Sequence, residues 1–257
     1  MNALHVELNR LLGIMDDLRL KCPWDQKQTL ESLRHLTLEE TYELSDALLK
    51  KDVNQIEAEL GDLLLHIVFY CKIGSEQDHF TLQSVIQRLC EKLIRRHPHI
   101  YGNVTVHSAE EVTSNWEKIK LKENGRLSKG LLSGVPDSMP ALLKAYRMQE
   151  KAASVGFDWP ELSRVWDKFY EELEEFKTEL KHGNQKQKTE ELGDLLFTLV
   201  NVARHAGINP IDALDSTNAK FKNRIAFIEK QLELQNQKME DQSLDALETL
   251  WNQAKND

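Results

Sequence analysis

The sequence predicts an all-α protein made of two tandem copies of one helical domain. Its 257 residues include only 11 Gly and 6 Pro, and leucines recur at helical spacing along much of the chain. Two acidic motifs also occur twice, and Glu40 and Asp62 precede their counterparts Glu172 and Asp194 by the same 132 residues. An offset of this length indicates a duplicated domain, because short-period solenoids repeat every 20–50 residues or so.

Helices are expected through most of the first half of the chain. Residues 4–18 repeat leucine at helical spacing, and Thr29 is expected to cap the helix that follows. The pair Lys51-Asp52 predicts a turn, and the pair His97-Pro98 predicts a helix end, since proline disfavours helix in the residue before it. The later helices are therefore predicted at about 53–73, 82–96 and 109–122.

Residues 123–140 divide the two predicted domains, 1–122 and 141–257. They hold three Gly and two Pro, which is typical of a linker or a long ordered loop. Helical periodicity resumes at Ala141, and residues 156–160, GFDWP, interrupt it. The helices of the second half are predicted at about 162–181, 187–206, 211–234 and 243–254.

Composition and charge exclude several functional classes. The formal net charge is −9, whereas a nonspecific nucleic-acid binder is usually basic because phosphate neutralisation supplies its affinity. The three cysteines form no CxxC pair, which fits a reducing compartment. The N-terminal residues carry acids, and no apolar run is long enough to span a bilayer. We therefore expect a soluble, cytoplasmic protein without a nucleic-acid or membrane partner.

The second copy contains a pattern of carboxylates that indicates a metal site. Glu172 and Glu175 are three residues apart, as are Glu191 and Asp194, so each pair shares a helix face. A short connection at residues 182–184 would make the two helices antiparallel neighbours. Four converging negative charges require a cation, and oxygen ligands without Cys or His favour Mg²⁺, with Mn²⁺ as a possible substitute.

The first copy repeats this pattern with Glu40, Glu43, Glu59 and Asp62. A single ExxE on a helix is usually a solvated face, so spacing alone does not decide between surface charge and metal binding. Apolar residues surround Glu191 and Asp194, however, and the mid-helix Gly193 costs about 1 kcal/mol relative to Ala, which predicts a close helix approach. Together with the repetition, these features favour metal binding in at least one copy.

Other metal and nucleotide motifs fit less well. A di-iron bundle would need His three residues after Glu59 or Glu191, and neither copy has one. His66 follows Asp62 by four, but Thr198 stands at the equivalent place. HExxH, Walker A and Gly-rich dinucleotide motifs are absent from the sequence. The basic residues 95–99, RRHPH, are more often a helix end than a phosphate site.

The ordered set of motifs resembles the MazG family of nucleotide pyrophosphohydrolases over nearly the whole chain. The resemblance rests on EExxE followed by ELGD in each half, together with segments 22–25 with Gln28, 95–99, 115–120, 155–159 and 250–255. It implies four-helix-bundle domains that dimerise. It also implies Mg²⁺-dependent hydrolysis of a nucleoside triphosphate (NTP or dNTP) to the monophosphate and pyrophosphate.

By the same resemblance, the C-terminal copy is expected to carry catalysis and to hold Mg²⁺ through Glu172, Glu175, Glu191 and Asp194. The positions associated with nucleotide contact are Lys168, Lys220, Arg224, Trp251 and Lys255. The first copy keeps its four acids, and it also keeps Lys92, Arg96, Trp116 and Lys120. Whether the first copy turns over substrate is left open.

The expected chemistry is attack of a water on the α-phosphorus, with Mg²⁺ lowering the pKa of that water and offsetting phosphate charge. A carboxylate not fully used by the metal would act as general base. Glu171 and Glu174 are further candidates for this base, and Glu171 is also counted among the residues expected to contact the nucleotide. Both could equally be solvated or supporting side chains.

The nucleotide-contact residues also have ordinary structural interpretations. Lys220 and Arg224 share a helix face and could bind the triphosphate, or they could be a basic surface pair. Trp251 could stack on a base, which would give broad base tolerance, or it could anchor the last helix.

An enzyme of nucleotide-pool housekeeping or regulation is the leading hypothesis. The alternative is a module that binds nucleotide or a protein partner without turnover.

Overall fold

A computed structural model describes residues 2–123 and 130–255. These residues form helices and turns, with no strand among them, which confirms the all-α prediction. The chain folds into two compact units, Met1–Val106 and His107–Asp257. Residues 124–129 of the predicted linker lie outside the described residues.

The first unit is built on helices that follow the predicted order. They are α1 (Ala3–Lys21), α2 (Arg34–Lys50), α3 (Val53–Glu76), α4 (Leu82–Arg96) and the short α5 (Pro98–Tyr101), with a 3₁₀ turn at Asp25–Lys27. Helix α3 packs against α1, α2 and α4. The core of this unit contains Met15, Leu33, Val68, Phe69 and Ile73. Because α2 and α3 meet along their lengths, residues of their facing sides come together.

The prediction that Thr29 caps the second helix is wrong. Thr29 Oγ1 accepts a hydrogen bond from the Ser32 backbone N–H at 3.1 Å, and Ser32 Oγ accepts one from the Thr29 N–H at 2.8 Å. These reciprocal bonds close a single turn. Helix α2 begins only at Arg34, after the buried Leu33.

The second unit contains α6 (Ala109–Lys122), α7 (Ala141–Ala153), α8 (Leu162–His182), α9 (Gln185–His205), α10 (Pro210–Leu234) and α11 (Leu244–Gln253), with a 3₁₀ turn at Met239–Asp241. Helices α8 and α9 pack together extensively, α7 packs against α9 and α10, and α10 packs against α11. Buried side chains include Val165, Val200, Ile228 and Leu232.

Residues 109–122 belong to the second compact unit, whereas the repeat assigns them to the first copy. The limits 1–122, 123–140 and 141–257 follow the repeat and remain a proposal about domains.

The loop before α8 is attached to the far end of α9. Asp158 accepts hydrogen bonds from Arg204 and, at 2.9 Å, from His205 Nε2. Burial alone would raise the pKa of Asp158, but these bonds and the charges of Arg204 and His205 lower it. Gly156 precedes this contact at φ 87°, in the left-handed region that favours glycine.

Among the described residues, no helix combines the length and the apolar character that a membrane crossing would require.

Candidate functional site

Helices α8 and α9 bring three of the predicted acids together. Two residues, Gly183 and Asn184, connect the helices, and Asn184 starts α9 by capping the backbone N–H groups of Lys186 and Gln187. One carboxylate oxygen from each of Glu172, Glu175 and Glu191 lies within 4.8 Å of the others. We call these residues the C-terminal acid cluster. The predicted antiparallel arrangement therefore produces a convergence of negative charge.

Glu172 is the enclosed member of this cluster. It is 6% exposed, while Glu175 is exposed and Glu191 is half-buried. Lys168, one turn earlier on α8, places its Nζ 2.7 Å from Glu172 Oε1 and 2.7 Å from Glu171 Oε1. Glu171 thus lies beside the cluster as a second partner of Lys168.

Asp194 lies outside the trio but acts on it electrostatically. Desolvation raises the pKa of Glu191, and the charges of Glu175, Asp194, Glu172 and Glu179 raise it further. Asp194 itself is exposed on α9.

Glu179 is a neighbour that the sequence reasoning missed. It lines a cavity of about 360 Å³ together with Glu174, Glu175, Thr178 and Glu191. Its position seven residues after Glu172 on the same helix was a usable signal. The repeat gives no hint of it, because Ala47 stands at the equivalent place.

Helices α2 and α3 form a matching N-terminal acid cluster. Oxygens of Glu40, Glu43 and Glu59 lie within 4.8 Å of one another. Desolvation and then the charge of Asp62 raise the pKa of Glu40. Desolvation and the charges of Glu43 and Asp62 raise the pKa of Glu59. Asp62 thus relates to its trio as Asp194 does to the other.

The surroundings of the two clusters differ in charge. The position equivalent to Lys168 is Leu36, which packs against the core of the first unit. Glu40 therefore has no lysine at the position from which Lys168 contacts Glu172.

A partly buried polar network adjoins the N-terminal acid cluster. Thr37 Oγ1 lies 2.7 Å from His66 Nδ1 and 2.7 Å from the Tyr70 hydroxyl. Burial lowers the pKa of His66, an effect that the Asp62 charge opposes. The equivalent residues of the second copy are Phe169, Thr198 and Val202, so comparing the repeats could not have predicted this network.

The expected close helix approach at Gly193 is wrong. Among the described residues, a Cβ built on Gly193, or on its counterpart Gly61, would meet no atom of another helix within 4 Å. The apolar side chains around the acids are also largely exposed, including Leu192 and Leu196. Helix α9 packs on α7 and α8 through other positions, so this face lies open.

Two of the predicted cationic residues, Lys220 and Arg224, line a separate cavity. Its volume is about 480 Å³, and its lining is Lys220, Asn223, Arg224, Ala226, Phe227, Lys230 and Ala254. The Arg224 guanidinium lies 4.9 Å from the centroid of the Trp251 ring, and the Phe221 ring lies 5.4 Å from it. Lys255 Nζ instead donates to Asn252 Oδ1 at 2.9 Å.

The corresponding residues of the first copy fall in different units. Lys92 and Arg96 lie on α4, in the first compact unit. Trp116 and Lys120 lie on α6, in the second, where Lys120 Nζ is 4.6 Å from the centroid of the Trp116 ring.

The two acid clusters have the chemistry of a hard-cation site. Each offers several carboxylate oxygens from two adjacent helices, and neither trio contains Cys or His. Such donors suit Mg²⁺ or Mn²⁺ rather than zinc. The pKa values of Glu40, Glu59 and Glu191 are raised first by desolvation and then by the charges of neighbouring carboxylates. A divalent cation would relieve this repulsion.

Comparison with known proteins gives consistent matches. A family model described as the MazG nucleotide pyrophosphohydrolase domain matches residues 28–101 and 163–226. The chain is 38% identical over 255 residues to the nucleoside triphosphate pyrophosphohydrolase of Escherichia coli (strain K12), covering 97% of each chain. It is 40% identical over 247 residues to the nucleoside triphosphate pyrophosphohydrolase/pyrophosphatase MazG of Thermotoga maritima, covering 95% of this chain and 94% of that one. It is also 41% identical over 255 residues to the uncharacterized protein YabN of Bacillus subtilis, covering 98% of this chain and 52% of that one.

Proposed function

We propose that this chain, which belongs to the MazG family of nucleotide pyrophosphohydrolases, hydrolyses nucleoside triphosphates to monophosphate and pyrophosphate through its C-terminal acid cluster. The protein is an enzyme of the nucleoside triphosphate pyrophosphohydrolase class. The observation that carries the proposal is the convergence of Glu172, Glu175 and Glu191 within 4.8 Å. Three carboxylates held this close repel one another, and a bound divalent cation would neutralise that repulsion.

In the proposed site, Glu172, Glu175, Glu191 and Asp194 hold Mg²⁺, for which Mn²⁺ can substitute. The N-terminal acid cluster, with Asp62, offers a second place of the same kind. Bound Mg²⁺ would acidify a water molecule and neutralise charge on phosphate oxygens.

The side chains around the C-terminal acid cluster have distinct proposed tasks. Lys168 lies beside the carboxylates and can neutralise a phosphate oxygen there. Lys220 and Arg224 supply further positive charge from their own cavity. A carboxylate that the metal leaves free, or Glu171 or Glu174, would accept the proton of the attacking water.

Base recognition is proposed to depend on Trp251, whose ring lies against Arg224, a residue that lines that cavity. Trp251 belongs to a cluster with Arg224 and Phe221. Contact with the π face of a base discriminates weakly between bases, so we propose broad base tolerance. This fits a cytoplasmic enzyme that controls or cleans the nucleotide pool.

We also propose that the protein is a homodimer. Leu192, Leu196 and Leu199 on α9 are 41–52% exposed beside Gly193, whose surroundings are open. Leu60, Leu64 and Ile67 are exposed beside Gly61 in the same way. Apolar faces of this kind are typical of interaction surfaces, and a second copy of the chain is the proposed partner.

Product analysis tests the proposed reaction. The purified chain is incubated with each common NTP and dNTP, with Mg²⁺ or with chelator, and the products are separated. Monophosphate plus pyrophosphate, formed only with metal, is the expected outcome. Diphosphate plus phosphate would place the attack on the γ-phosphorus and contradict the proposal. Absence of turnover would favour a binding module.

A further inference from the structure

The contact between Lys168 and Glu172 gives the two acid clusters unequal charge. Lys168 Nζ lies 2.7 Å from Glu172 Oε1, and the side chain of Glu172 is only 8% exposed. This is a charge-assisted hydrogen bond to the most enclosed carboxylate of its cluster. The second bond, to Glu171 Oε1, also at 2.7 Å, holds the ammonium in place from the solvent side.

A carboxylate oxygen that accepts this hydrogen bond is less available to a metal ion. The ammonium and a divalent cation neutralise the same charge, and two cations repel each other at short range. Binding of metal at Glu172 must therefore weaken or break the contact with Lys168. The lysine side chain, 34% exposed and attached through a flexible stem, can move away to another anion.

We propose that Lys168 is a built-in competitor of the metal for Glu172, so that the C-terminal acid cluster binds divalent metal more weakly than its carboxylates alone would. Once its contact with Glu172 is broken, the Lys168 ammonium would be available to a phosphate group. This inference rests on the proposed function, because it assumes that metal binds at these acids. The N-terminal acid cluster lacks the competitor, since Leu36 occupies the equivalent position.

The decisive measurement is the affinity for Mn²⁺ in the absence of nucleotide. Electron paramagnetic resonance detects the free Mn²⁺ and so gives the bound fraction. The full-length chain carries Glu40→Gln and Glu59→Gln, so that only the C-terminal acid cluster binds. Lys168→Met is expected to tighten Mn²⁺ binding about three- to fivefold, the upper part of the range for partly exposed ion pairs. Lys168→Arg keeps the cation and should remain within about twofold of the parent.

Two further readouts separate competition from general damage. Lys168→Met should weaken binding of a non-hydrolysable triphosphate while it tightens binding of Mn²⁺, whereas a disrupted site would weaken both. Mn²⁺ should also raise the melting temperature of Lys168→Met by more than that of the parent, because the metal then relieves carboxylate repulsion that no lysine offsets.

The reciprocal change tests the same idea in the first copy. In a chain carrying Glu172→Gln and Glu191→Gln, Leu36→Lys should weaken Mn²⁺ binding at the N-terminal acid cluster. Leu36→Met controls for the altered packing of Leu36 against the core. If Leu36→Lys fails to fold, the Lys168 series still decides the question.

Unchanged or weaker Mn²⁺ binding by Lys168→Met would overturn the inference and leave the proposed reaction standing. Failure of both clusters to bind Mn²⁺ in the unsubstituted chain would instead remove the metal from the proposed function.

Discussion

Glu172 is the most consequential single residue of the C-terminal acid cluster, because it is enclosed while its partners contact solvent. Its replacement Glu172→Gln keeps the shape and removes one negative charge. We expect a loss of pyrophosphohydrolase activity of about 100-fold or more, as for a lost metal ligand or electrostatic catalyst. The measurement is initial rate of pyrophosphate release at saturating Mg²⁺.

Glu190→Gln serves as the matched control for Glu172→Gln. Glu190 lies beside Glu191 in sequence, but it is exposed and faces Lys186 at 3.6 Å, so its loss should leave the rate nearly unchanged. Full activity of Glu172→Gln would assign catalysis to Glu40, Glu43, Glu59 and Asp62 instead.

The same carboxylates predict a pH dependence of stability in chelator. The pKa values of Glu59 and Glu191 are raised in the folded protein, first by desolvation and then by neighbouring carboxylates. The folded state therefore binds these protons more tightly than the unfolded state, whose ordinary pKa is 4.5. Protonated Glu59 and Glu191 therefore contribute to the stability of the folded protein. This contribution is fully present below about pH 4.5 and is lost as the pH rises through the raised pKa.

Glu59→Gln and Glu191→Gln should thus raise the melting temperature at pH 7 and change it little at pH 4.5. Glu76 and Asp158 do not confound this window. The pKa values of Glu76 and Asp158 are lowered in the folded protein. Their contributions to stability are therefore present at neutral pH and are lost as the pH falls through those lowered values. An equal change in melting temperature at both pH values would show that repulsion between ionised carboxylates is not the cause.

Among the elements, the connection between α2 and α3 sets the register of the N-terminal acid cluster. Lys51 follows the last residue of α2 at φ 56°, ψ 31°, in the left-handed conformation. Non-glycine residues reach this conformation at a cost of about 1 kcal/mol. We expect Lys51→Gly to stabilise the fold by about 0.5–1 kcal/mol in urea unfolding.

Lys50→Gly provides the comparison for Lys51→Gly. Lys50 lies in the last turn of α2, where glycine destabilises a helix by up to about 1 kcal/mol. Opposite signs at adjacent positions are therefore expected, and destabilisation by both substitutions would contradict the role assigned to Lys51.

The contact between the loop before α8 and the end of α9 is a second element-scale feature. Asp158→Asn removes the charge that Arg204 and His205 share, and the side chains of both are largely buried. We expect a loss of about 1.5–3 kcal/mol in the free energy of unfolding, the range for hydrogen bonds to charged groups. The exposed Asp241, changed to Asn, is the control, and comparable losses from both would argue against the contact.

At the scale of the whole molecule, the exposed apolar faces predict self-association. The chain has a mass of 29.8 kDa, and light scattering after size exclusion should give about twice this value. Leu196→Glu places a charge on the open face of α9, where burial of an unpaired charge is costly, and should shift the protein toward monomer. Leu4→Glu, at an exposed position of α1, should not. A monomeric parent would exclude the proposed dimer.

Sequence alone predicted the helical class, the duplication and two sets of four acids, and the structure brings three acids of each set together. Helical spacing places Glu172 beside Glu175 on any helix, and the short connection predicted at residues 182–184 makes the next helix return alongside. Family motifs then identified the chemistry. These inferences depend on local geometry, which a single sequence specifies well.

Only the tertiary structure decided which groups surround those acids. Spacing could not show that Lys168 contacts Glu172, since a lysine on a helix has several rotamers and partners. Nor could it show that Gly193 faces open space or that Thr37, His66 and Tyr70 form a partly buried network. The prediction for Thr29 was wrong because a threonine side chain can accept a hydrogen bond from a backbone N–H in a turn as well as at the start of a helix. Burial and charge partners depend on distant elements, and the packing of those elements is the information that local sequence lacks.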